Sequence, residues 1–242
     1  VKINDLTPET KEAFKGYESI ALFGLDNRST GTFESGNSDA IIVVSINKES
    51  GEIKMASVYR DTYLDIGEDH FRKANAAYAN GGPKQAIEML NKNLDLGITD
   101  YVSVDFSALT QAIDLLGGIE LDIQEDEVGY MNDYIDTTGE IVGHSSSHVS
   151  AGTGVHVDGV QATAYTRIRY TEGWDYRRTE RQRTVIKKLF KKIKTTDLAT
   201  INDIIDTVFP QVSTSFSLKK IIGLASALMD YTFGESEGFP FE

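Results

Sequence analysis

Apolar residues fall along the chain in short compact runs and in helically spaced triplets, and the two spacings separate strands from helices. SIALFGLD (19–26) and DAIIVVSIN (39–47) are apolar runs bounded by Gly, Ser and Asn, which predicts two buried strands. SGEIKMASVY (50–59) follows a turn and predicts a third, hairpin-paired with the second. In GGPKQAIEMLNKNL (81–94) Pro83 sits where a first helical turn tolerates it, and Ile87, Leu90 and Leu94 share one face. DYVSVDF (100–106) reads as a strand. Ser107 then caps a helix carrying Ile113 and Leu116, closed by Gly117 and Gly118. IELDI (119–123) is the next strand.

The segment 124–158 is polar and rich in Gly, Ser and Thr, which predicts an exposed excursion or a weak hairpin. VQATAYTRIR (160–169) fits a short helix or a strand. In RTERQRTVIKKLFKKIK, Val185, Leu189 and Ile193 recur at i, i+4 and i+8 with lysines outward, predicting a helix. Thr179 and Gln182 have capping-box spacing, so this helix is expected to begin near Thr179, with Asp175 as a rival cap. LKKIIGLASALMDY (218–231) is a further helix. Strands alternating with helices predict an α/β fold, a sheet with helices packed on it, in one domain over 1–242.

Composition narrows the function. With 242 residues, 40% hydrophobic and 25% charged, the chain can bury one substantial core. It has no Cys, which excludes disulfides and thiolate metal sites. A net charge of -13 argues against nucleic acid as a partner. No run approaches the roughly 20 apolar residues of a membrane span, and no signal peptide is visible. The sequence opens at VKINDL without Met, as an excised soluble domain would, so a missing anchor says little about the parent protein.

Against that acidic background, RIRYTEGWDYRRTERQR (167–183) holds six arginines, and the rest of the chain only Arg28, Arg60 and Arg72. Arg178 and Gln182 are four apart and share a helix face one to two turns before Val185 and Leu189. Arg167 and Arg169 point the same way if extended and diverge if helical. Arginine offers bidentate donors that fit phosphate oxygens, and a helix N-terminus adds free N–H groups. Arg60, Arg167, Arg169 and Arg178 together would hold more than one phosphate. Arg177, Arg181 and Arg183 are expected to form a solvated face.

Two carboxylates, Asp26 and Asp39, close one predicted strand and open the next. Such a pair repels unless a cation or an arginine lies between, and its oxygens suit Mg²⁺; the plainer reading is two aspartates serving as turn formers or helix caps. Arg60-Asp61 follows the third strand, either as an exposed ion pair or as an arginine aimed at an anion from a strand end. The four histidines show no metal or triad spacing, and no G-x-S-x-G elbow is present. Trp174 and the tyrosines are expected in the core or at its rim.

LFGLDNR, NSDAIIVVSIN, ASVYRDTYLDI, RKANAAYANGGPKQAI, LLGGIELDI and ATAYTRIR…YRRTERQR together resemble, in order, the motifs of the LytR-CpsA-Psr family, over about Ile20–Lys194. The resemblance implies a three-layer α/β/α sandwich around a mixed sheet. It implies an extracytoplasmic enzyme, Gram-positive in origin, held by an N-terminal transmembrane helix. Such an enzyme transfers a glycopolymer (wall teichoic acid, capsular polysaccharide or a related glycan) from a polyprenyl-pyrophosphate carrier to peptidoglycan as a phosphodiester. By motif, Asp26 and Asp39 would hold Mg²⁺, or Mn²⁺ in its place. Arg60, Arg167, Arg169 and Arg178 would bind the pyrophosphate with Gln182 beside them, Arg28 and Lys73 would lie at the head-group rim, and Asp61 follows the matched arginine. A pocket for the polyprenyl chain is also implied, for which Ile87, Leu90, Ile113 and Leu116 are candidates. Asn37 stands where the family usually has Arg, and Ala74 and Ala76 interrupt its lysine motif. Other readings are a polyprenyl-pyrophosphate hydrolase, a lipid-binding module, and an extracytoplasmic transcription attenuator.

Overall fold

A computed structural model of the chain describes residues 1–26, 33 and 36–241. The elements, in order, are α1 (Pro8–Ala13), β1 (Tyr17–Leu25), β2 (Ser38–Asn47), β3 (Glu52–Val58), β4 (Tyr63–Asp65), β5 (Phe71–Lys73), α2 (Ala76–Leu94), β6 (Asp100–Asp105), α3 (Phe106–Leu115), β7 (Ile119–Ile123), α4 (Glu125–Val142), β8 (Gly152–Val157), α5 (Gly159–Arg167), α6 (Trp174–Lys194), α7 (Leu198–Val208), β9 (Ser213–Thr214), α8 (Leu218–Ala227) and β10 (Thr232–Phe239). They form two compact units, Val1–Val104 with Ser213–Glu242, and Asp105–Val212.

The first unit is built on a six-stranded mixed sheet, ordered β10-β3-β2-β1-β6-β9. The predicted β2–β3 hairpin is present, β1 pairs antiparallel with β2, and β10 runs parallel to β3. Alternation sends Ala21, Phe23 and Leu25 of β1 into one core with Ala86, Ile87 and Leu90 of α2. β2 buries residues on both its faces, which is why it reads as an unbroken apolar run. In α2, Gly81 and Gly82 are non-helical, with φ of -152° and 65°, so Pro83 opens a fresh helical segment as its sequence predicts. Tyr78, fully buried, donates to Ser103 Oγ at 2.9 Å; burial pushes its pKa up to about 12, so it stays a neutral donor. Lys220 of α8 reaches Glu18 of β1 at 2.6 Å and Asp100 of β6 at 3.0 Å, and its hydrogen bond holds the Glu18 carboxyl below the usual range.

The second unit holds α3 to α7 and a separate antiparallel pair, β7–β8. Three expectations fail here. Asp105, not Ser107, caps α3: its side chain accepts from Ala108 N at 2.8 Å. The segment 124–158 is no weak excursion but the 18-residue α4 followed by β8. Met131, Ile135, Thr138 and Gly139 give α4 a buried helical stripe, and Gln124 with Glu127 forms its capping box. The Gly, Ser and Thr content masked that stripe. Helix α6 begins at Trp174 behind an N-capping Gly173, so neither Thr179 nor Asp175 caps it, and Thr179 instead donates to Tyr176 O at 3.0 Å inside the helix.

Ile87 and Leu90 are 1% and 0% exposed in the first unit's core, and Ile113 is 0% exposed in the second's, with Leu116 also buried. Ile87 and Leu90 thus fill the first unit's core and Ile113 the second's.

Helices α3 and α5 of the second unit meet backbone to backbone. Gly159 N donates to Asp114 Oδ1 at 2.7 Å, and a Cβ at Gly159 would fall 2.1 Å from the Thr110 carbonyl oxygen. Overpacking of this kind costs about 1–3 kcal/mol. We therefore expect Gly159→Ala to lower stability by that amount, read as an earlier midpoint in urea.

Candidate functional site

The predicted site residues divide between the two units, and each set has its own geometry. In the first unit β1 and β3 run the same way with β2 opposed between them, so the C-terminal ends of β1 and β3 share one sheet end with the start of β2. Asp26, Asp39 and Arg60 lie at that end. Gly24 pairs with Ala40 and Leu25 with Ser38, which leaves Asp39 as the extra residue of a β-bulge. The β2–β3 register pairs Ile42 with Ser57, and continued past the ladder it sets Asp39 opposite Arg60. There Arg60 Nη1 donates to Asp39 Oδ1 in a short charge-assisted bond.

Arg60 is held from behind. Its carbonyl accepts from Asn75 N at 3.1 Å, and Thr62 O accepts from Ala74 N at 2.8 Å, tying the turn after β3 to the start of α2. Asp61 Oδ1 lies 3.6 Å from Arg60 Nε and 3.1 Å from Lys73 Nζ, so one carboxylate orients both cations. Ala74 is fully buried in the core and offers nothing to a ligand. Asp26 Oδ1 is buried with no hydrogen-bond partner among the described residues. An orphaned carboxylate oxygen is costly, and a hard cation is the kind of group that satisfies it. Among the described residues no three His, Asp or Glu converge as a self-sufficient metal cage. Arg28 lies outside the described residues.

In the second unit Arg167 is the last residue of α5, and Arg169 follows in the connection to α6. Neither is in a strand, so the shared direction of an extended segment is not what unites them. Arg167 Nη1 donates to Thr138 Oγ1 at 2.8 Å, and its guanidinium lies 4.6 Å from the Phe106 ring centroid and 5.0 Å from that of Tyr134. Asp175 Oδ1 sits 3.5 Å from Arg169 Nε and 3.3 Å from Arg178 Nη2. Arg178 is 2% exposed, and one turn on Gln182 is buried with its Oε1 lacking a hydrogen-bond partner among the described residues. Burial pushes the Tyr134 hydroxyl's pKa up, while Arg167, Arg169 and Arg178 all pull it down. Three guanidinium groups thus act electrostatically on one aromatic side chain.

The expected solvated face of α6 is only partly there. Arg181 and Arg183 are 2% and 8% exposed. Arg181 Nε donates to Glu127 Oε1 at 2.7 Å, and its other nitrogens reach Ile168 O at 3.1 Å and Thr171 Oγ1 at 2.6 Å. A buried carboxylate on α4 captures it, and it in turn pins the segment carrying Arg169. Reading 124–158 as a loop hid Glu127 and also hid Tyr134 and Thr138, the partners of Arg167. The signal was available in the Gln124/Glu127 capping spacing and the Met131, Ile135, Thr138 stripe. Asp175 bridges two arginines where a helix cap was expected.

The sequence matches the LytR_cpsA_psr family over residues 2–233. It is 32% identical over 226 residues to the polyisoprenyl-teichoic acid–peptidoglycan teichoic acid transferase TagU of Enterococcus faecalis, covering 91% of this chain and 68% of the relative. It is 33% identical over 229 residues to biofilm regulatory protein A of Streptococcus mutans, covering 87% of this chain and 54% of the relative. The chain therefore spans between about half and two thirds of these relatives' length. Among solved structures it resembles TagT bound to LI-WTA, with a TM-score of 0.76 and 26% identity over 98% of this chain and 82% of that one. The α/β class and the mixed central sheet agree with that likeness. With the match running over nearly every element described above, the chain belongs to the LytR-CpsA-Psr family.

Proposed function

We propose that this chain transfers a glycopolymer from a polyprenyl-pyrophosphate carrier to peptidoglycan, forming a phosphodiester. The observation that carries the reading is the grouping of Arg169 and Arg178 about Asp175, with Arg178 buried and Arg167 against the Tyr134 ring, in a chain of net charge -13. Guanidinium charge gathered in one place on a strongly acidic protein suits a local anion. The relatives named as teichoic acid transferases supply the substrate class. That substrate is membrane-borne and its acceptor is in the wall, so the domain works on the extracytoplasmic face.

In the reaction an acceptor hydroxyl of peptidoglycan attacks the phosphorus that bears the glycan. The bond from that phosphorus to the bridging oxygen breaks, polyprenyl phosphate leaves, and the hydroxyl proton is released. Phosphoryl transfer of this kind asks the protein for positioning and charge neutralisation more than for covalent chemistry. Arg167, Arg169 and Arg178 supply fixed donors, and Gln182 adds a neutral one. On the first unit Arg60, oriented by Asp39 and Asp61, is a donor of the same kind, and Lys73 stands beside Asp61 at the exposed rim.

Asp26 and Asp39 would hold Mg²⁺, since two carboxylates with substrate oxygens and water complete its usual shell. The ion would neutralise charge on the phosphoryl oxygens. Mn²⁺ fits the same oxygen ligands. We expect EDTA to reduce transfer at least about 10²-fold, with activity restored by either ion. Titration calorimetry with Mg²⁺ alone should show weaker binding to Asp26→Ala than to the unchanged protein.

The reading is tested by supplying purified protein with polyprenyl-pyrophosphoryl glycan and a peptidoglycan oligomer. A phosphodiester-linked product is the expected result. Release of glycan phosphate to water alone, with the acceptor present, would replace the transferase by a hydrolase.

A further inference from the structure

Beside the arginine cluster the second unit carries an exposed aromatic strip that charge neutralisation does not use. Tyr130, Tyr170 and Trp174 are 39%, 56% and 65% exposed. Tyr170 lies 6.1 Å, centroid to centroid, from both Tyr130 and Trp174, the latter edge-on. The three rings form a continuous row drawn from α4, the α5–α6 connection and the first residue of α6. Burying such rings is normally favourable, and a contiguous exposed row of them marks a surface that meets something. The sequence leads one to expect these rings in the core or at its rim; the structure turns them outward.

Two details show that the row is built. Trp174 has φ 42°, a left-handed conformation that is strained for a bulky residue, and it follows Gly173 at φ 88°. The chain accepts that strain to start α6 with its ring facing out. Second, the row adjoins the phosphate-binding residues directly: Tyr170 follows Arg169, and Trp174 precedes Asp175, which bridges Arg169 and Arg178.

The chemistry of the rim says what the row takes. Exposed Asp126 and Asp133 lie about one helical turn either side of Tyr130 on α4, and exposed Glu172 falls between Tyr170 and Trp174. Carboxylates repel an anionic bilayer surface, so membrane docking is disfavoured. The same carboxylates accept hydrogen bonds from sugar hydroxyls, while an aromatic face packs against the apolar C–H face of a pyranose ring. We propose that Tyr130, Tyr170 and Trp174 form a carbohydrate-stacking subsite that binds pyranose rings next to the arginine cluster. The assignment of the glycan as donor or acceptor rests on the transferase reading; the sugar-binding chemistry does not.

Trp174 is the only tryptophan in the chain, so its fluorescence reports the subsite directly. Purified protein is titrated in separate arms with a peptidoglycan disaccharide oligomer, with the diphosphate-linked sugar of the donor on a short prenyl chain, and with sugar-free anionic phosphatidylglycerol vesicles. A saturable change with either glycan is expected, and the responding arm names the source. Tyr170→Ala should weaken that binding roughly tenfold, equivalent to about 1.4 kcal/mol, with Tyr170→Phe close to the unchanged protein. Trp174→Ala should raise KM for the same glycan and leave kcat nearly unaltered. Silence towards both glycans, or a response to vesicles alone, would overturn the subsite. A glycan response in a protein that shows no transfer would sink the transferase reading and leave the subsite standing.

Discussion

Arg60→Ala is expected to lower glycopolymer transfer at least about 10²–10³-fold, the usual cost of losing one fixed charge contact to a developing transition state. The fold should survive. Arg60 and Asp39 are roughly one fifth exposed, and they meet beyond the last β2–β3 pairing rather than in a core. Alanine leaves Asp39 able to reach water, so the penalty of an uncompensated buried charge is small. Arg60→Lys separates charge from shape: lysine keeps the charge but loses the planar fork that contacts Asp39 through Nη1 and lies beside Asp61 through Nε. Phosphodiester formation in a reconstituted assay, with a thermal melt on each purified variant, reads both quantities. Arg167→Ala should lose activity comparably; transfer at the unchanged rate in either alanine variant would remove these residues from the chemistry.

Arg181→Ala should have the opposite signature, a loss of stability that precedes any loss of chemistry. Arg181 and Glu127 are both 2% exposed at the side chain and 2.7 Å apart. Removing the arginine strands a buried carboxylate, whose other charged neighbour is Arg177 at 3.6 Å. Breaking a buried pair in this way costs about 3–5 kcal/mol, a large part of the 5–15 kcal/mol typical of a folded domain. The double replacement Glu127→Leu with Arg181→Met should recover much of that loss, because it removes both desolvated charges together. Chemical denaturation of the three variants checks the order. A single variant as stable as the unchanged protein would mean that Glu127 is hydrated and that the ion pair holds nothing together.

What the sequence reveals and what it hides follow from the range of the interactions concerned. β1, β2 and β3 are legible because an apolar run between turn residues suffices to specify a buried strand, and Pro83 marks its helix start by local geometry alone. Arg60 is legible as a strand-end arginine, and its pairing with Asp39 follows once the β2–β3 register is known. Helix α4 is only faintly legible, through its Gln124/Glu127 spacing and Met131 and Ile135, because the rest of its buried stripe is carried by Thr138 and Gly139, which count as polar or neutral in any hydropathy reading. Losing α4 removes Glu127, and without Glu127 nothing in RRTERQR distinguishes Arg181 from a solvated neighbour. What sets Arg181 apart as a strut is a partner 54 residues away in sequence. The short strands β4, β5, β8 and β9 escape for a related reason: pairing partners rather than composition make them strands.

The bulge at Asp39 has a consequence for how such a domain can change. Eight residues of β1, Tyr17 to Gly24, are paired with β2 behind it, with the tight Gly24–Ala40 approach as the last regular rung. Asp39, Arg60 and Asp26 all lie past that rung, so none contributes a step to the ladder that holds the sheet. The proposed chemistry and the framework are therefore separately editable. Substitutions at the sheet's rim can alter which ions and polymers are handled without re-laying the apolar lattice beneath, and a protein built this way can diversify its substrates at little risk to its folding.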